Sequence, residues 1–324
     1  MMFTAAHDWS GPSSDPNDRQ FGDVIEPTTI DAAHEYDAVL ISEPYDGAVI
    51  GRPGARDGPE ALRTTLAATK AHHLANGPVA GVGDLGTVEL PTGKSVETVQ
   101  EIAAEAAEAV HDVDSFPVFL GGDNSLTYPN ATPLLERGSL GVISFDAHFD
   151  CREVRGQPSS GTPYRQLHED GLDAFAVVGA RGFENSTTYA DYVTARGGTV
   201  ISAASVGDDP AAAVDAALAA MDGVDAIYVS VDLDVLDAAA APGVSAPTPG
   251  GLTTRELYRL LREVLAADRV AGFEIVECAP PLDAENATVN AGSRAVAHAL
   301  DVVTEIEPDG AGVVDHRRTG GDKA

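Results

Sequence analysis

The feature that most constrains the fold of this chain is an apolar segment that runs directly into alternating polar residues. Residues 140–143 are apolar, and Asp146, His148 and Asp150 follow them closely. Such a segment is typical of a buried parallel strand. Side chains alternate along a strand, so these three polar side chains point to one side at its end. Two carboxylates and an imidazole in this arrangement predict a site for a divalent cation.

A second segment of the same design lies far downstream. Residues 226–229 are apolar, and Asp232 and Asp234 again alternate just beyond them. In a chain this acidic, an alternative is that these residues merely cap helices or loops. The recurrence favours a metal site, because two cations bridged by shared carboxylates need about this supply of ligands.

Apolar segments alternate with helix-forming segments along most of the chain. The predicted strands are at residues 36–42, within 79–88, and at 117–120, 140–145, 174–179, 198–202, 225–231 and 269–276. The predicted helices are at residues 59–74, 96–110, 186–195, 210–221, 253–267 and 288–301. Buried strands that alternate with helices form a parallel sheet covered on both faces. The predicted fold class is therefore α/β, a three-layer α/β/α architecture with a central parallel sheet, which binds ligands beyond the carboxyl ends of its strands.

The net charge of the chain argues against two classes of partner. Lys and Arg total 20 against 51 Asp and Glu, which gives a net charge of −31. Such a surface repels nucleic acid and anionic membranes, so we expect neither as a partner. The acids are dispersed along the chain, a distribution that suits a cytoplasm of very high salt. We therefore expect a halophilic source.

The composition also predicts a soluble, cytoplasmic protein. No apolar run approaches the length that spans a membrane, and the polar N-terminus does not resemble a signal peptide. Cys151 and Cys278 are too few for a disulfide framework, which favours a reducing compartment. Residues 1–33, rich in Pro, Ser, Asp and Gly, are predicted to form an irregular N-terminal extension, and residues 308–324 a disordered tail.

A third polar motif, Gly-Gly-Asp-Asn-Ser at residues 121–125, also follows an apolar segment. Alone it predicts no more than a tight strand-to-helix turn. Together with the two acidic motifs, Ala-Pro-Gly at 241–243 and Pro-Thr-Pro-Gly-Gly at 247–251, it resembles the ureohydrolase family of arginases, agmatinases and formimidoylglutamases. The resemblance covers about residues 35–303. It implies an arginase-like catalytic domain at 34–307, two Mn²⁺ ions per subunit, a small-molecule substrate and a homo-oligomer, a trimer or hexamer.

The resemblance also assigns metal ligands. It implies that Asp146, Asp150 and Asp232 hold one Mn²⁺, with the side chain at position 124 as the fourth ligand. It implies that the other Mn²⁺ is held by Asp146, His148, Asp232 and Asp234. The family has a His at position 124, but this chain has Asn124. An amide oxygen is a weaker donor to Mn²⁺ than an imidazole, so we expect the first metal position to bind less tightly.

Substrate contacts are expected from a loop and from a strand end. The run from Arg152 through Ser160 to Arg165 resembles formimidoylglutamases, since arginases and agmatinases usually have a His where Ser160 stands. Arg152 and Arg165 suit a substrate with two carboxylates, because guanidinium pairs bidentately with carboxylate. An alternative is that both arginines only neutralise nearby acids. Glu277 falls where the family grips the amidinium of its substrate.

These features predict a hydrolase of N-formimidoyl-L-glutamate, which releases L-glutamate and formamide in histidine degradation. Asp150 and Glu277 are the predicted catalytic residues: Asp150 takes the proton of the attacking water, and Glu277 stabilises positive charge on the substrate. One alternative is an enzyme that acts on agmatine or another guanidino compound. A further alternative is a non-catalytic relative that binds a metabolite.

Overall fold

The computed structural model of the protein describes residues 2–6 and 8–304. Within them, the strands are β1 (Phe3–Thr4), β2 (Ile25–Pro27), β3 (Ala38–Ser42), β4 (His72–His73), β5 (Gly77–Pro78), β6 (Val82–Val88), β7 (Phe116–Leu120), β8 (Leu140–Phe145), β9 (Ala174–Ala180), β10 (Thr199–Ser202), β11 (Ala226–Asp232) and β12 (Val270–Val276). The α-helices are α1 (Gly58–Ala67), α2 (Val96–His111), α3 (Thr127–Leu135), α4 (Pro163–Glu169), α5 (Thr187–Ala195), α6 (Ala203–Asp208), α7 (Pro210–Ala220), α8 (Thr254–Leu265) and α9 (Ala287–Val303).

The central sheet has the order β1-β6-β3-β7-β12-β11-β8-β9-β10, and β2 also pairs with β6. Its pairings are parallel except that of β1 with β6, which is antiparallel. β4 and β5 form a separate antiparallel pair. Because β7, β12, β11 and β8 are neighbours and parallel, their carboxyl ends lie side by side near the middle of the sheet.

Helices cover both faces of the sheet. Val39, Ile41 and Phe119 belong to the core layer that packs against α2 to α5. Leu40 and Phe273 belong to the layer that packs against α1 and against α6 to α9. Neighbouring residues of one strand thus supply opposite layers, as the period of two requires. The predicted three-layer α/β/α fold is confirmed.

The N-terminal region is more ordered than the sequence predicted. β1 and β2 lie within residues 1–33 and both pair with β6, so the prediction that this whole region is irregular is wrong. The Trp9 indole also donates to Asp84 Oδ2 at 2.8 Å. This region also contacts the residue just after α1, since Gln20 Nε2 donates to the Ala68 carbonyl at 2.5 Å. Helix α1 ends at Ala67, before the predicted residue 74.

Most predicted elements agree with the structure within a few residues. A capping box of Thr253 and Glu256 begins α8, close to the predicted start of that helix at residue 253. Helices α3, α4 and α6 were not predicted, and α3 contains both Pro129 and Pro133. No helix in residues 2–6 and 8–304 is both long and apolar enough to cross a membrane. The predicted tail at 308–324 lies outside the described residues, and the domain boundaries stay predictions.

Candidate metal centre and active site

Four neighbouring strands carry the predicted site residues to one edge of the sheet. β8 ends just before Asp146, and β11 ends at Asp232, with Asp234 beyond it. β7 leads towards Asn124, and β12 ends just before Glu277. These strands are neighbours in the sheet, so residues distant in sequence converge where the topology predicts a ligand site.

Two groups of three side chains are close enough to hold a cation. One ligand atom from each of Asp146, Asp150 and Asp232 lies within 4.8 Å of the others, and the same holds for Asp146, His148 and Asp234. Asp146 belongs to both groups, as expected of a carboxylate shared by two adjoining metal positions. Carboxylate oxygens with an imidazole nitrogen suit a divalent metal such as Mn²⁺. The residues present therefore fit the metal that the sequence predicts.

Charge crowding at this edge supports the same conclusion. Asp146 is fully buried, and its Oδ2 has no hydrogen-bond partner among the described residues. Burial, and then the charges of Asp150 and Asp234, raise the pKa of Asp146 well above its usual range. Burial, Asp234 and Asp146 do the same to the pKa of Asp232. A cation would counter both shifts, since opposite charge favours the ionised carboxylate.

The predicted catalytic residues have unusual backbone conformations. Asp150 has a φ of 40° and Glu277 a φ of 63°, in a region that non-glycine residues rarely adopt. Such strain costs about 1–3 kcal/mol per residue and persists where the surroundings hold it. At Glu277 they do, because its N–H donates to the Gly122 carbonyl at 2.8 Å and its Oε1 accepts from Asn124 N–H at 3.0 Å. Its Oε2 has no partner among the described residues.

The Gly-Gly-Asp turn packs the site against an earlier loop. A Cβ on Gly122 would lie 1.8 Å from the Tyr45 carbonyl oxygen, so only glycine fits there. The next N–H, of Asp123, donates to that same carbonyl at 2.8 Å. Asp123 Oδ2 accepts from Ala48 N–H at 2.8 Å. This turn therefore fixes the loop that forms one wall of the site.

Asn124 lies at the site, where both ends of its amide form hydrogen bonds. Its Nδ2 donates to Asp150 Oδ2 at 2.6 Å, and its Oδ1 accepts from the Thr127 hydroxyl at 2.6 Å. The amide oxygen is thus occupied by Thr127, while the nitrogen faces the acidic cluster. In this orientation the Asn124 nitrogen supports Asp150, and the role of Asn124 as a metal ligand stays a prediction. The sequence offered one signal for this contact. Thr127 stands three residues after Asn124, at the start of a helix.

A cavity of about 130 Å³ opens beside the acidic cluster. Its lining includes His148, Asp150, Arg152, Ser160, Asp232, Asp234 and Glu277. Ser160 is 8% exposed, and its Oγ accepts from Ile50 N–H at 3.1 Å, so it joins two walls of the cavity. The exposed Arg152 side chain lies at the cavity and near the Tyr189 ring.

Arg165, in contrast, does not line this cavity. Its guanidinium stacks on the Tyr192 ring at 3.4 Å, and its Nε donates to the Cys151 carbonyl at 3.1 Å. Its position on α4 therefore does not support the predicted role in substrate binding, which leaves Arg152 as the arginine at the cavity. The sequence could not show which of the two arginines lies at the cavity, because both belong to the same motif.

Comparison with known proteins agrees with this geometry. The model of the arginase family matches residues 36–301. The chain belongs to the arginase family. Its relatives include the formimidoylglutamase of Halobacterium salinarum, which is 55% identical over 305 residues that cover 92% of this chain and 99% of that relative. The predicted resemblance is confirmed, and the fold is the arginase fold.

Two solved structures of the arginase family are similar to this one. The crystal structure of formimidoylglutamase from Bacillus subtilis matches with a TM-score of 0.83 and 28% identity, over 91% of this chain and 94% of that one. Trypanosoma cruzi formiminoglutamase, solved with Mn²⁺, matches with a TM-score of 0.76 and 26% identity, over 84% and 94% of the two chains. The chain thus shares the arginase fold along nearly the whole length of these relatives.

Proposed function

We propose that this protein is a Mn²⁺-dependent formimidoylglutamase, which hydrolyses N-formimidoyl-L-glutamate to L-glutamate and formamide in histidine degradation. The observation that carries the proposal is the 55% identity to a formimidoylglutamase over nearly the full length of both chains. The acidic cluster, the arginine at its cavity and the unpaired oxygen of Glu277 support it. Two Mn²⁺ ions per subunit, a trimer or hexamer and a cytoplasmic location are parts of the same proposal.

The side chains of the acidic cluster have different roles in the hydrolysis. Asp146, His148, Asp150, Asp232 and Asp234 would hold the metal. Divalent metal held there lowers the pKa of water and so supplies a nucleophile at neutral pH. Asp150 accepts the proton of that water, and the Asn124 amide that donates to it holds its carboxylate in place.

Glu277 binds the reacting end of the substrate. Burial, and then the charge of Asp123, raise the pKa of Glu277 well above its usual range, so a cationic partner there is strongly favoured. Its unpartnered Oε2 accepts a hydrogen bond from the formimidoyl nitrogen and stabilises the positive charge on the nitrogens of the protonated amidine. Arg152 pairs with a substrate carboxylate at the cavity, and Ser160 fixes the wall beside it.

The first prediction separates the two arginines. Arg152→Ala should raise KM for N-formimidoyl-L-glutamate with little change in kcat, because the carboxylate contact is equal in the ground and transition states. A charged hydrogen bond contributes about 1.5–3 kcal/mol, and the exposure of Arg152 places it at the low end, roughly tenfold in KM. Steady-state kinetics measures this.

Arg165→Ala is the matched control. It removes the same charge outside the cavity, so KM should stay within about twofold, and the lost stacking on Tyr192 should cost about 1 kcal/mol of stability. An Arg165→Ala variant with the larger rise in KM would refute this assignment.

The second prediction concerns salt. The net charge of −31 destabilises the folded chain by self-repulsion, which multimolar KCl screens. Folding and activity should therefore weaken as KCl is diluted to about 0.1 M, where the Debye length reaches roughly 10 Å. Circular dichroism and turnover should fall together along the series. Equal stability and activity at every concentration would contradict a halophilic adaptation.

A further inference from the structure

The segment that follows β9 carries polar residues that the proposed reaction does not use. Residues 181–185, Arg-Gly-Phe-Glu-Asn, begin where β9 ends, and β9 pairs in parallel with β8. Because β8 leads to Asp146 and His148, this segment lies beside the loop that carries both ligands. Three of its side chains face the metal position that includes His148.

Asn185 holds the main chain on both sides of His148. Its Nδ2 donates to the Ala147 carbonyl at 2.9 Å, and its Oδ1 accepts from the Phe149 N–H at 2.9 Å. A carbonyl only accepts and a main-chain N–H only donates, so these partners fix which end of the amide lies on which side. One side-chain amide therefore fixes the two peptide groups that flank the imidazole-bearing residue.

The same segment faces the outer side of the imidazole. His148 Nδ1 lies 3.0 Å from Asp234 Oδ2 and 3.4 Å from Asp146 Oδ1, so Nδ1 is the nitrogen that faces the other ligands. His148 Nε2 lies 3.7 Å from Glu184 Oε2. A carboxylate behind the outer nitrogen of a metal-binding histidine keeps the proton there and leaves the inner nitrogen free to bind metal.

Arg181 holds the turn that carries Asp234. Its Nη2 donates to the carbonyls of Asp234, at 2.5 Å, and Leu236, at 2.7 Å. Its Nη1 donates to the Thr248 hydroxyl at 2.8 Å. Its main-chain N–H donates to the Ala147 carbonyl at 3.2 Å. One residue thus joins the turn of Asp234 to the loop of the imidazole ligand.

The surroundings of Arg181 are shaped for its guanidinium. Arg181 is 7% exposed, and no carboxylate pairs with it among the described residues. A buried charge without a counter-ion costs free energy and persists only where other groups hold it. A Cβ on Gly251 would lie 2.1 Å from Arg181 Nη2 and 2.5 Å from the Asp237 nitrogen, so only glycine leaves room there. The Pro-Thr-Pro-Gly-Gly motif at 247–251 thus supplies both this space and the acceptor Thr248.

We propose that Arg181 and Asn185 are positioning residues that hold the metal position formed by Asp146, His148 and Asp234. Asn185 fixes the peptide groups on both sides of the imidazole ligand, and Arg181 fixes the turn of Asp234 against the same loop. The inference rests on the proposed function through its metal centre, but the substrate plays no part in the measurement that tests it.

The other metal position does not depend on these two residues. Neither Asp150 nor Asp232 forms a hydrogen bond with Arg181 or Asn185 among the described residues. A variant at either positioning residue should therefore weaken the position that contains His148 and spare the other. A general loss of stability would weaken both positions alike, so this difference separates positioning from a merely structural role.

Calorimetric titration of the metal-free protein with Mn²⁺ tests the role of Asn185. Asn185→Leu removes both hydrogen bonds at similar side-chain size, and it should weaken the tighter position, which contains His148, roughly tenfold while the other stays within about twofold. Asn76→Leu is the matched control, because it removes a partly buried amide that donates to Asp301 outside the site. Equal affinities in the two variants, or an equal loss at both positions of Asn185→Leu, would overturn the proposal.

The same titration tests Arg181. Arg181→Met and Arg181→Lys should both weaken the tighter position, because the planar fork and not the charge holds the turn, and lysine has no such fork. Arg269→Met is the control, since the Arg269 guanidinium also donates to two carbonyls, those of Met221 and Val224, but at the amino end of β12. Full affinity in Arg181→Lys would overturn the role of the fork. If the arginine variants do not fold, Asn185→Leu decides the proposal.

The failure of the proposed function would be distinguishable from the failure of this inference. If the wild type binds Mn²⁺ at both positions but does not hydrolyse N-formimidoyl-L-glutamate, the proposed function is wrong, and the titrations still decide the roles of Arg181 and Asn185. A wild type that binds no Mn²⁺ would overturn both.

Discussion

Asp146→Asn is expected to abolish turnover and, in the absence of metal, to stabilise the protein. Asp146 contributes to both groups of ligand atoms, so its loss weakens every metal position at once. Metal supplies several kcal/mol to reactions of this kind, which corresponds to a loss of roughly 10³-fold or more in kcat/KM. Kinetics and Mn²⁺ binding measure these effects.

The stability change has the opposite sign for a physical reason. Without metal, Asp146 is a buried group that Asp150 and Asp234 repel, and the neutral amide removes that repulsion. The melting temperature in chelator should rise by roughly 2 °C, as about 1 kcal/mol produces in a chain of this size, whereas Mn²⁺ should no longer raise it. Asp191→Asn, at an exposed acid on α5, is the control. An Asp146→Asn variant that binds Mn²⁺ as tightly as the wild type would contradict this account.

Asn124→His is expected to strengthen the weaker metal position. In the wild type, the group of Asp146, Asp150 and Asp232 has no imidazole, and the Asn124 amide turns its nitrogen towards it. The other group includes His148, so the two positions should differ in affinity and the first should lose its metal first on mild chelation. An imidazole at position 124 adds a donor, which should tighten the weaker position by on the order of tenfold and reduce the Mn²⁺ needed for full activity.

Calorimetric titration of the metal-free proteins with Mn²⁺, alongside activity, checks this prediction. Asn124→Leu is the informative companion, since it removes the hydrogen bond to Asp150 without adding a ligand and should weaken both binding and turnover. Another outcome is that the site has adapted to the amide and the larger imidazole only crowds it. Two equally tight positions in the wild type, unimproved by His, would refute the weak-position argument.

The sequence predicted the layers of the fold and the placement of the acidic cluster because both depend on simple periodicities. Asp146, Asp232 and Glu277 each follow an apolar strand, and parallel strands deliver their carboxyl ends to one edge. The strands of the N-terminal region were missed because β1 and β2 are only two and three residues long. Helix α3 was not predicted because Pro129 and Pro133 are residues that normally disfavour a helix.

Side-chain direction was harder to predict than position. The sequence placed Asn124 at the site, but which end of its amide faces the metal depends on Thr127, a tertiary contact. It could not place Arg152 and Arg165 separately, because the direction of each depends on the turn between Cys151 and α4.

The measurement that tests the central claim most directly is a comparison of substrates with the Mn²⁺-loaded protein in molar salt. N-formimidoyl-L-glutamate, agmatine and L-arginine are supplied separately, and formamide, L-glutamate and urea are measured as products. The account predicts that N-formimidoyl-L-glutamate has by far the highest kcat/KM and yields formamide and L-glutamate in equal amounts. Preferential release of urea from agmatine or arginine, or no turnover of any of the three, would contradict it.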